Sequence, residues 1–340
     1  MKTAAVIVAI ALLASVSYGS TIYSVTDLGD IFPEALNDSG QVVGSYHIDF
    51  TTISEAFLWD SGTLSNLNRG GQNQAFANDI NNSGAVAGQI GRPGPWSAVS
   101  WNMSGTIADI DSLGQYSNAW GINNAGVVVG GIQDGPTGTS WARAFRWSSS
   151  DGLTMLDTNP ASGSYGWAIN ENGTVAGELM NTACTWDVTG AYQPLGTLGG
   201  LFSMAYDIND AGWVVGYAED IARTERPALW HDGTSQALVG GNGAAEAINN
   251  AGVAVGYSSS RAFLWEGGNA QYLDDIASVP GWKFDTAEDI NENGWIVGRG
   301  TLNGEMRGYL LKPVPTPEPS TALLLVLGLP VVALRRRLNS

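Results

Sequence analysis

Ala205-Tyr206-Asp207-Ile208-Asn209-Asp210-Ala211-Gly212-Trp213-Val214-Val215-Gly216 reads as a β-hairpin. Asn in the first turn position and Gly in the fourth suit a type I turn closed by a left-handed glycine bulge. Trp213 to Gly216 is the return strand. The same pattern, Ala-x-x-Ile-Asn-x-x-Gly-x-Val-x-Gly, occurs seven times, with its Asn at positions 37, 81, 123, 170, 209, 249 and 291. Ten to fifteen residues later comes Ala-Phe-x-Trp, seen at Ala56 to Trp59, Ala98 to Trp101, Ala144 to Trp147, Ala183 to Trp186, Pro227 to Trp230 and Ala262 to Trp265, with Gly308-Tyr309-Leu310-Leu311 as a worn seventh copy.

Helix formers are scarce within a repeat, and the short apolar runs between turn residues have strand composition. Four strands fit per repeat. The third is the Ala-Phe-x-Trp segment, and a leucine-bearing piece such as Tyr192-Gln193-Pro194-Leu195 supplies the fourth. Return strands such as Val127-Val128-Val129 and Trp295-Ile296-Val297 are apolar on both faces, so each sheet needs cover on both sides. Units of about 42 residues with four strands match the blades of a β-propeller.

The two ends of the repeat array are complementary. The seventh repeat stops after its third strand at Lys312, whereas Ile22 to Gly29 reads as a fourth strand without the preceding three. The expected fold is therefore an all-β, seven-bladed β-propeller over residues 20–312, with residues 22–29 completing the blade made by 284–312. An open β-solenoid is the rival, but it needs polar caps and leaves the lone strand unexplained. The repeats resemble the HAF repeats of extracellular bacterial proteins. The histidine that names that family is absent; its place holds Glu55, Ser97, Arg143, Thr182, Arg226, Arg261 and Arg307, so no role of that histidine carries over.

Residues 1–19 have the form of a signal peptide: Lys2, an unbroken apolar run from Ala4 to Ala14, and small residues at Ser17 and Gly19, after which cleavage is expected. At the other end, residues 313–340 hold a proline-rich linker with Pro317-Glu318-Pro319, an apolar segment 321–334 and the cluster Arg335-Arg336-Arg337. The apolar segment contains Gly328 and Pro330 and is short for a span of roughly twenty residues, so a transient rather than permanent anchor is expected. The arginines would keep that end in the cytoplasm. Together these features resemble the PEP-CTERM sorting tail of exported bacterial proteins. That resemblance implies processing near Pro317, Glu318 and Pro319 by an exosortase, after signal peptidase has acted at the other end. It also implies localisation at the cell surface or outside the cell, and association with extracellular polysaccharide.

Between the tags, 11 basic and 31 acidic side chains leave a net charge near −20. Such a surface repels phosphate, which argues against nucleic-acid binding. Cys184 is the only cysteine, so no internal disulfide forms and stability must come from packing and chain closure. Only His47 and His231 exist, which leaves little for a histidine-built zinc site or an imidazole base. No catalytic residue, metal or cofactor is assigned. Cys184 takes the Phe position of its repeat and reads as a core residue.

Several repeated residues carry a structural and a chemical reading at once. Asp79-Ile80-Asn81 and Asp289-Ile290-Asn291 put acids beside the turns, where calcium is conceivable but bonding to nearby backbone is favoured. Phe57 and Trp59 share a strand face and recur, which favours core packing over sugar stacking. Arg143, Arg226, Arg261 and Arg307 sit at equivalent points of separate blades, as an anion-binding partial ring or as partners of nearby acids.

Three functions follow. First is an exported, noncatalytic surface or matrix protein. Second is a carbohydrate-binding module, which requires aromatics outside the repeated core positions, with Trp96, Trp120, Trp167 and Trp282 as candidates. Third is a polysaccharide-cleaving enzyme, which requires an irregular acidic cluster in one blade or over the channel.

Overall fold

In a computed structural model of the protein, the described residues are 22–314 apart from 49–52, 92–95, 111–115, 134–141, 158, 160–162 and 278. The strands assort into seven four-stranded antiparallel sheets. Six are consecutive in sequence; the fifth, for example, is Gly199–Ile208, Val214–Asp220, Glu225–His231 and Thr234–Ala237 in that spatial order. The seventh pairs Trp282–Ile290, Ile296–Leu302 and Glu305–Val314 with Ile22–Gly29 as its outer strand. The chain is a seven-bladed β-propeller closed by its amino-terminal strand. The third strand of the seventh blade runs to Val314, two residues beyond the boundary expected at Lys312. Among the described residues, one short helix, Leu273–Ala277, interrupts the all-β pattern.

Closure lets every blade bury both faces. Seven apolar clusters fill the seven interfaces between neighbouring blades. The cluster joining the last blade to the first packs Val297 and Leu310 against Leu36, Val42 and Phe57. Trp101, Trp186 and Trp230 of the Ala-Phe-x-Trp strands are almost completely buried, as are Phe57, Phe145 and Phe263. Cys184 stands among them at the interface of the third and fourth blades, and burial pushes its thiol far above the usual range, leaving it inert.

Two glycines of the repeat are demanded by different physics. The turn glycine, Gly212, has φ +78°, a left-handed conformation that costs other residues. The final glycine, Gly216, lies so close to the inner strand that an added Cβ would meet the Met204 carbonyl oxygen at 2.0 Å. Its counterparts Gly44, Gly88, Gly130, Gly177, Gly256 and Gly298 face the same obstruction.

The carboxy-terminal apolar segment 321–334, the sorting motif Pro317 to Pro319 with Arg335, Arg336 and Arg337, and the signal peptide with Gly19 lie outside the described residues. Among the described residues, no helix is long and apolar enough to cross a membrane.

Candidate functional site: the axial channel

The inner strands Phe32–Leu36, Gln74–Ile80, Ser117–Ile122, Ser164–Ile169, Gly199–Ile208, Gly243–Ile248 and Trp282–Ile290 stand side by side around the axis. At the turn end they are tied by two closed hydrogen-bond circuits. In the first, each motif Asn donates Nδ2 to the next motif Asn carbonyl, from Asn37 to Asn81 and onward through Asn123, Asn170, Asn209, Asn249 and Asn291 back to Asn37. Meanwhile Asn Oδ1 accepts from its own turn, as when Trp213 N–H donates to Asn209 at 2.9 Å. In the second circuit, the backbone N–H of the following residue donates to the side-chain oxygen of its counterpart in the next blade: Asp38, Asn82, Asn124, Glu171, Asp210, Asn250, Glu292 and back to Asp38.

Beneath these circuits lie Asp79, Asp207 and Asp289, each accepting from its own following N–H and from an N–H of the next blade, such as Ile248 to Asp207 at 2.7 Å. Burial outweighs those bonds and raises the carboxyls, to about 7 for Asp79, to about 6 for Asp207 and well above the ordinary range for Asp289. The basin they share with the turns has a volume of about 210 Å³. Their oxygens are spent on backbone, and among the described residues no group of three or more His, Cys, Asp or Glu is arranged to hold a metal ion.

One residue further from the turns, all seven inner strands carry a β-bulge, with register shifts across Pro33/Ala35, Ala77/Asp79, Ala119/Gly121, Gly166/Ala168, Ala205/Asp207, Ala245/Ala247 and Ala287/Asp289. Bulges re-aim a side chain and recur beside functional sites. The bulged residues are Glu34, Asn78, Trp120, Trp167, Tyr206, Glu246 and Glu288, and all are half-buried. Several interact with the neighbouring blade: Asn78 donates Nδ2 to the Ala119 carbonyl at 2.7 Å, and Glu34, Glu246 and Glu288 lie within electrostatic reach of one another.

The ring they form is divided. Trp120 packs on Trp167 with centroids 4.8 Å apart, and Trp167 meets Tyr206 edge-on at 6.1 Å, which makes an aromatic arc over three adjacent blades. Tyr165 extends it by stacking on Trp167 at 5.6 Å. Glu246, Glu288 and Glu34 occupy the next three blades, the sixth, seventh and first, and Asn78 of the second blade completes the ring. Arg299 clamps Glu288 with Nε at 2.9 Å and a terminal nitrogen at 2.6 Å. Burial first, then the neighbouring acids, raises Glu34 to about 7 and Glu246 to about 8. Beside the aromatic arc, Glu178 is only 7% exposed, and burial raises it to about 7.

Of the candidate aromatics, Trp120 and Trp167 come together in this ring. Trp96 packs on Phe76 and Trp282 on Phe284, each within its own blade. The arginines are not brought together. Arg226 pairs with Asp220 at 2.8 Å, Arg261 with Asp274 and Asp275 while covering the Tyr272 ring, and Arg307 with Asp27 at 3.8 Å. Arg143 opens the third strand of the third blade, half-buried. His47 bonds Ser54, and His231 neighbours Asp232.

The sequence reading did not single out the ring as a site. Its signal lay in the repeats themselves: the position three before each motif Asn varies among Glu, Asn, Trp and Tyr, yet it is bracketed by a small residue or proline before it and, two places on, by Ile or Leu.

No protein-family model matches the chain. No curated protein matches it either. Solved structures do. A structure titled as the mitotic checkpoint complex aligns with TM-score 0.55 at 10% identity, covering 93% of this chain and 98% of that one. A streptogramin B lyase aligns with TM-score 0.54 at 8% identity, covering 86% and 98%. Virginiamycin B lyase from Staphylococcus aureus aligns with TM-score 0.54 at 10% identity, covering 86% and 100%. At such identities the likeness establishes the β-propeller fold and nothing about activity.

Proposed function

We propose that the protein is an exported, noncatalytic surface or matrix propeller that holds a saccharide in its axial channel. Export and surface sorting rest on the signal-peptide features of residues 1–19 and on the PEP-CTERM-like tail, with signal peptidase, an exosortase-type enzyme and, transiently, the membrane as its partners. Saccharide binding rests on one observation above all, the division of the bulged ring into the arc Trp120, Trp167, Tyr206 and the arc Glu246, Glu288, Glu34. Sugar rings present apolar C–H faces that lie on aromatic rings, while their hydroxyls donate to carboxylates. A ring built only to pack would repeat one residue type, as the core positions do.

Hydrolysis is the competing reading, and one observation favours it. Glu34 and Glu246, both raised by burial, neighbour Glu288, which Arg299 keeps paired. A carboxyl raised by burial beside a second one held by a guanidinium is an arrangement that a general acid and its partner use.

A glycan array probed with the purified protein, run beside a turnover assay on extracellular polysaccharide, separates these. Defined binding without turnover is expected. Turnover lost on Glu288→Gln would make the channel an active site, and silence in both assays would remove the saccharide from the proposal. Mass spectrometry of the exported form tests the sorting step: a terminus near Pro317-Glu318-Pro319 is expected, and an intact tail in the mature protein counts against it.

A further inference from the structure

We infer that the face opposite the Asn turns carries a docking surface for a second copy of this chain, built from Leu201, Phe202 and Ile221 of the fifth blade and Met180 of the fourth. The inference is independent of the saccharide reading, since each inner strand leads into its Asn turn and these residues lie at the other end of the blades.

The inner strand of the fifth blade, Gly199–Ile208, is the longest of the seven inner strands. Its first half departs from the repeat. Between the pairs Gly199/Asp220 and Ser203/Ala218, the three residues Gly200, Leu201 and Phe202 oppose the single residue Glu219. Glu219, 9% exposed, pins this bulge: one of its oxygens accepts from the N–H of Leu201 at 2.9 Å, from the N–H of Phe202 at 3.3 Å and from Arg223 at 3.4 Å. A Cβ on Gly200 would stand 2.3 Å from the Glu219 Cβ, and one on Gly199 2.7 Å from the Ile221 side chain, so the segment lies too close to the hairpin for larger residues. Asp220 accepts from the N–H groups of Ala222 and Thr224 and so fixes the tip that carries Ile221.

This scaffolding displays apolar side chains. Leu201 is 57% exposed, Phe202 42%, Ile221 87% and, across the blade boundary, Met180 60%. Ser203 N–H donates to the Asn181 carbonyl at 3.1 Å, which sets the Met180 turn beside the bulge. Met180 and Asn181 form a two-residue turn with φ +50° and +59°, a conformation costly for Met; the equivalent turns of the sixth and seventh blades hold Ser259-Ser260 and Asn303-Gly304. Exposed apolar side chains on backbone already tied down lose little freedom when a partner covers them.

Charge selects the partner. With 32 acidic against 15 basic side chains, two copies repel one another except where opposite charges meet. Beside Ile221 on the same hairpin, Arg223 and Glu225 both reach solvent, and Glu225 has no hydrogen bond or ion pair among the described residues. A two-fold axis at this hairpin sets Arg223 of each copy against Glu225 of the other while the apolar side chains meet between them. Adjacent opposite charges are self-complementary, which neither a lipid surface nor a polymer of one charge sign matches. Four apolar side chains make a small interface, so the dimer is weak and reversible.

Sedimentation equilibrium of the protein over a concentration series tests this, with all variants sharing the same termini so that differences belong to the patch. A monomer–dimer equilibrium with Kd above about 1 μM is expected. Ile221→Asp should weaken it at least about tenfold with an unchanged Tm, and Leu201→Ser is the second probe if that variant does not fold. Glu225→Arg lowers the net negative charge and would strengthen association if overall repulsion alone governed it; facing Arg223 across the axis, it should instead weaken association at least about fivefold. A protein that stays monomeric up to about 1 mM overturns the inference. So does a dimer indifferent to both Ile221→Asp and Leu201→Ser, which would use another surface, or one strengthened by Glu225→Arg. Binding to phosphatidylcholine vesicles that is lost in Ile221→Asp, with no dimer in solution, would reassign the patch to lipid and overturn it as well.

Discussion

Asn291 donates its Nδ2 to the carbonyl oxygen of Asn37 at 3.0 Å, joining residues 254 apart in the chain. This is the same bond that links every other pair of neighbouring blades. It closes the inner circuit at the interface where the seventh blade meets the first. At the outer rim the strand Ile22–Gly29 closes the same blade, with Ser24 Oγ donating to the Lys312 carbonyl at 3.3 Å. Inner and outer closures are therefore separable by mutation.

Removing residues 20–29 should leave the Glu305–Val314 strand as an unpaired edge and strip buried Tyr23 and Leu28 from the seventh blade. Exposed edges recruit other chains. The expected outcome is a loss of several kcal/mol, on the scale of one to two buried large side chains plus a strand ladder. Thermal melting and size-exclusion chromatography would record it as a lower Tm with concentration-dependent association. An unchanged Tm would mean that the outer strand adds little to closure.

Asn291→Asp tests the inner closure, because Asp keeps the Oδ1 that accepts from Trp295 and Asn293 but loses the donor to Asn37. A loss of about 1–3 kcal/mol is expected from losing the blade-to-blade bond and placing a charge there, while the Asn37 carbonyl keeps the Gly40 N–H of its own turn. Asn291→Ala removes the turn bonds as well and should cost more. Denaturant unfolding of both variants measures the difference, and equal costs would show that the turn bonds to Asn291 Oδ1 add nothing beyond the blade-to-blade link.

The two repeat glycines should respond unequally to alanine. Gly212→Ala strains a left-handed turn in open space and should cost about 1–2 kcal/mol. Gly216→Ala drives a methyl into the Met204 carbonyl and should cost more than about 3 kcal/mol or prevent folding. Comparable melting temperatures for the two variants would contradict the close strand approach.

Much of this fold is legible in the sequence because repetition multiplies weak signals. A single Asn-x-x-Gly is only a turn, but seven at nearly equal spacing, with a lone strand at one end and a missing one at the other, specify a closed ring. The Asn circuits are not legible, since a residue that caps its own turn gives no sign that its remaining amide hydrogens reach the next blade. The channel ring is half legible. Trp120 and Trp167 stand out as aromatics outside the core pattern, but the bulge that turns them beside Tyr206 and opposite Glu246 alters backbone register without any Gly or Pro to announce it in most blades. The arginines at 143, 226, 261 and 307 show the converse. Repeat symmetry gives them equivalent places, yet Arg226, Arg261 and Arg307 pair with separate acids rather than with a common ligand.

The buried acids make stability depend on pH. Asp207 is raised by burial to about 6, above its unfolded value near 3.9, so the folded state retains a proton that the unfolded chain gives up. Its contribution is fully present below about pH 4 and is lost progressively as pH rises to about 6, amounting to at most about 3 kcal/mol. Asp79 extends the window to about pH 7. The Tm should fall between pH 5 and pH 7. Asp207→Ala, which installs the residue found at the equivalent Ala35, Ala168 and Ala247, should flatten part of that slope. A wild-type Tm that rises over this range would mean that the bonds from Ile208 and Ile248 keep the carboxylate ionised.

Trp167 and Trp186 lie 19 positions apart in one blade and should answer to different assays. Trp186 is 1% exposed and packs with Val175 and Cys184 in the interface between the third and fourth blades, so Trp186→Ala should cost about 3–5 kcal/mol. Trp167 is half-buried in the channel, and its indole N–H has no partner there. Its truncation removes less packing and no hydrogen bond. Trp167→Ala should therefore melt within a few degrees of wild type while losing saccharide binding, whereas any folded Trp186→Ala should still bind. Differential scanning fluorimetry paired with titration of one saccharide oligomer reads both quantities. If Trp167→Ala unfolds as readily as Trp186→Ala, the aromatic arc belongs to the core and the channel loses its claim as a binding site.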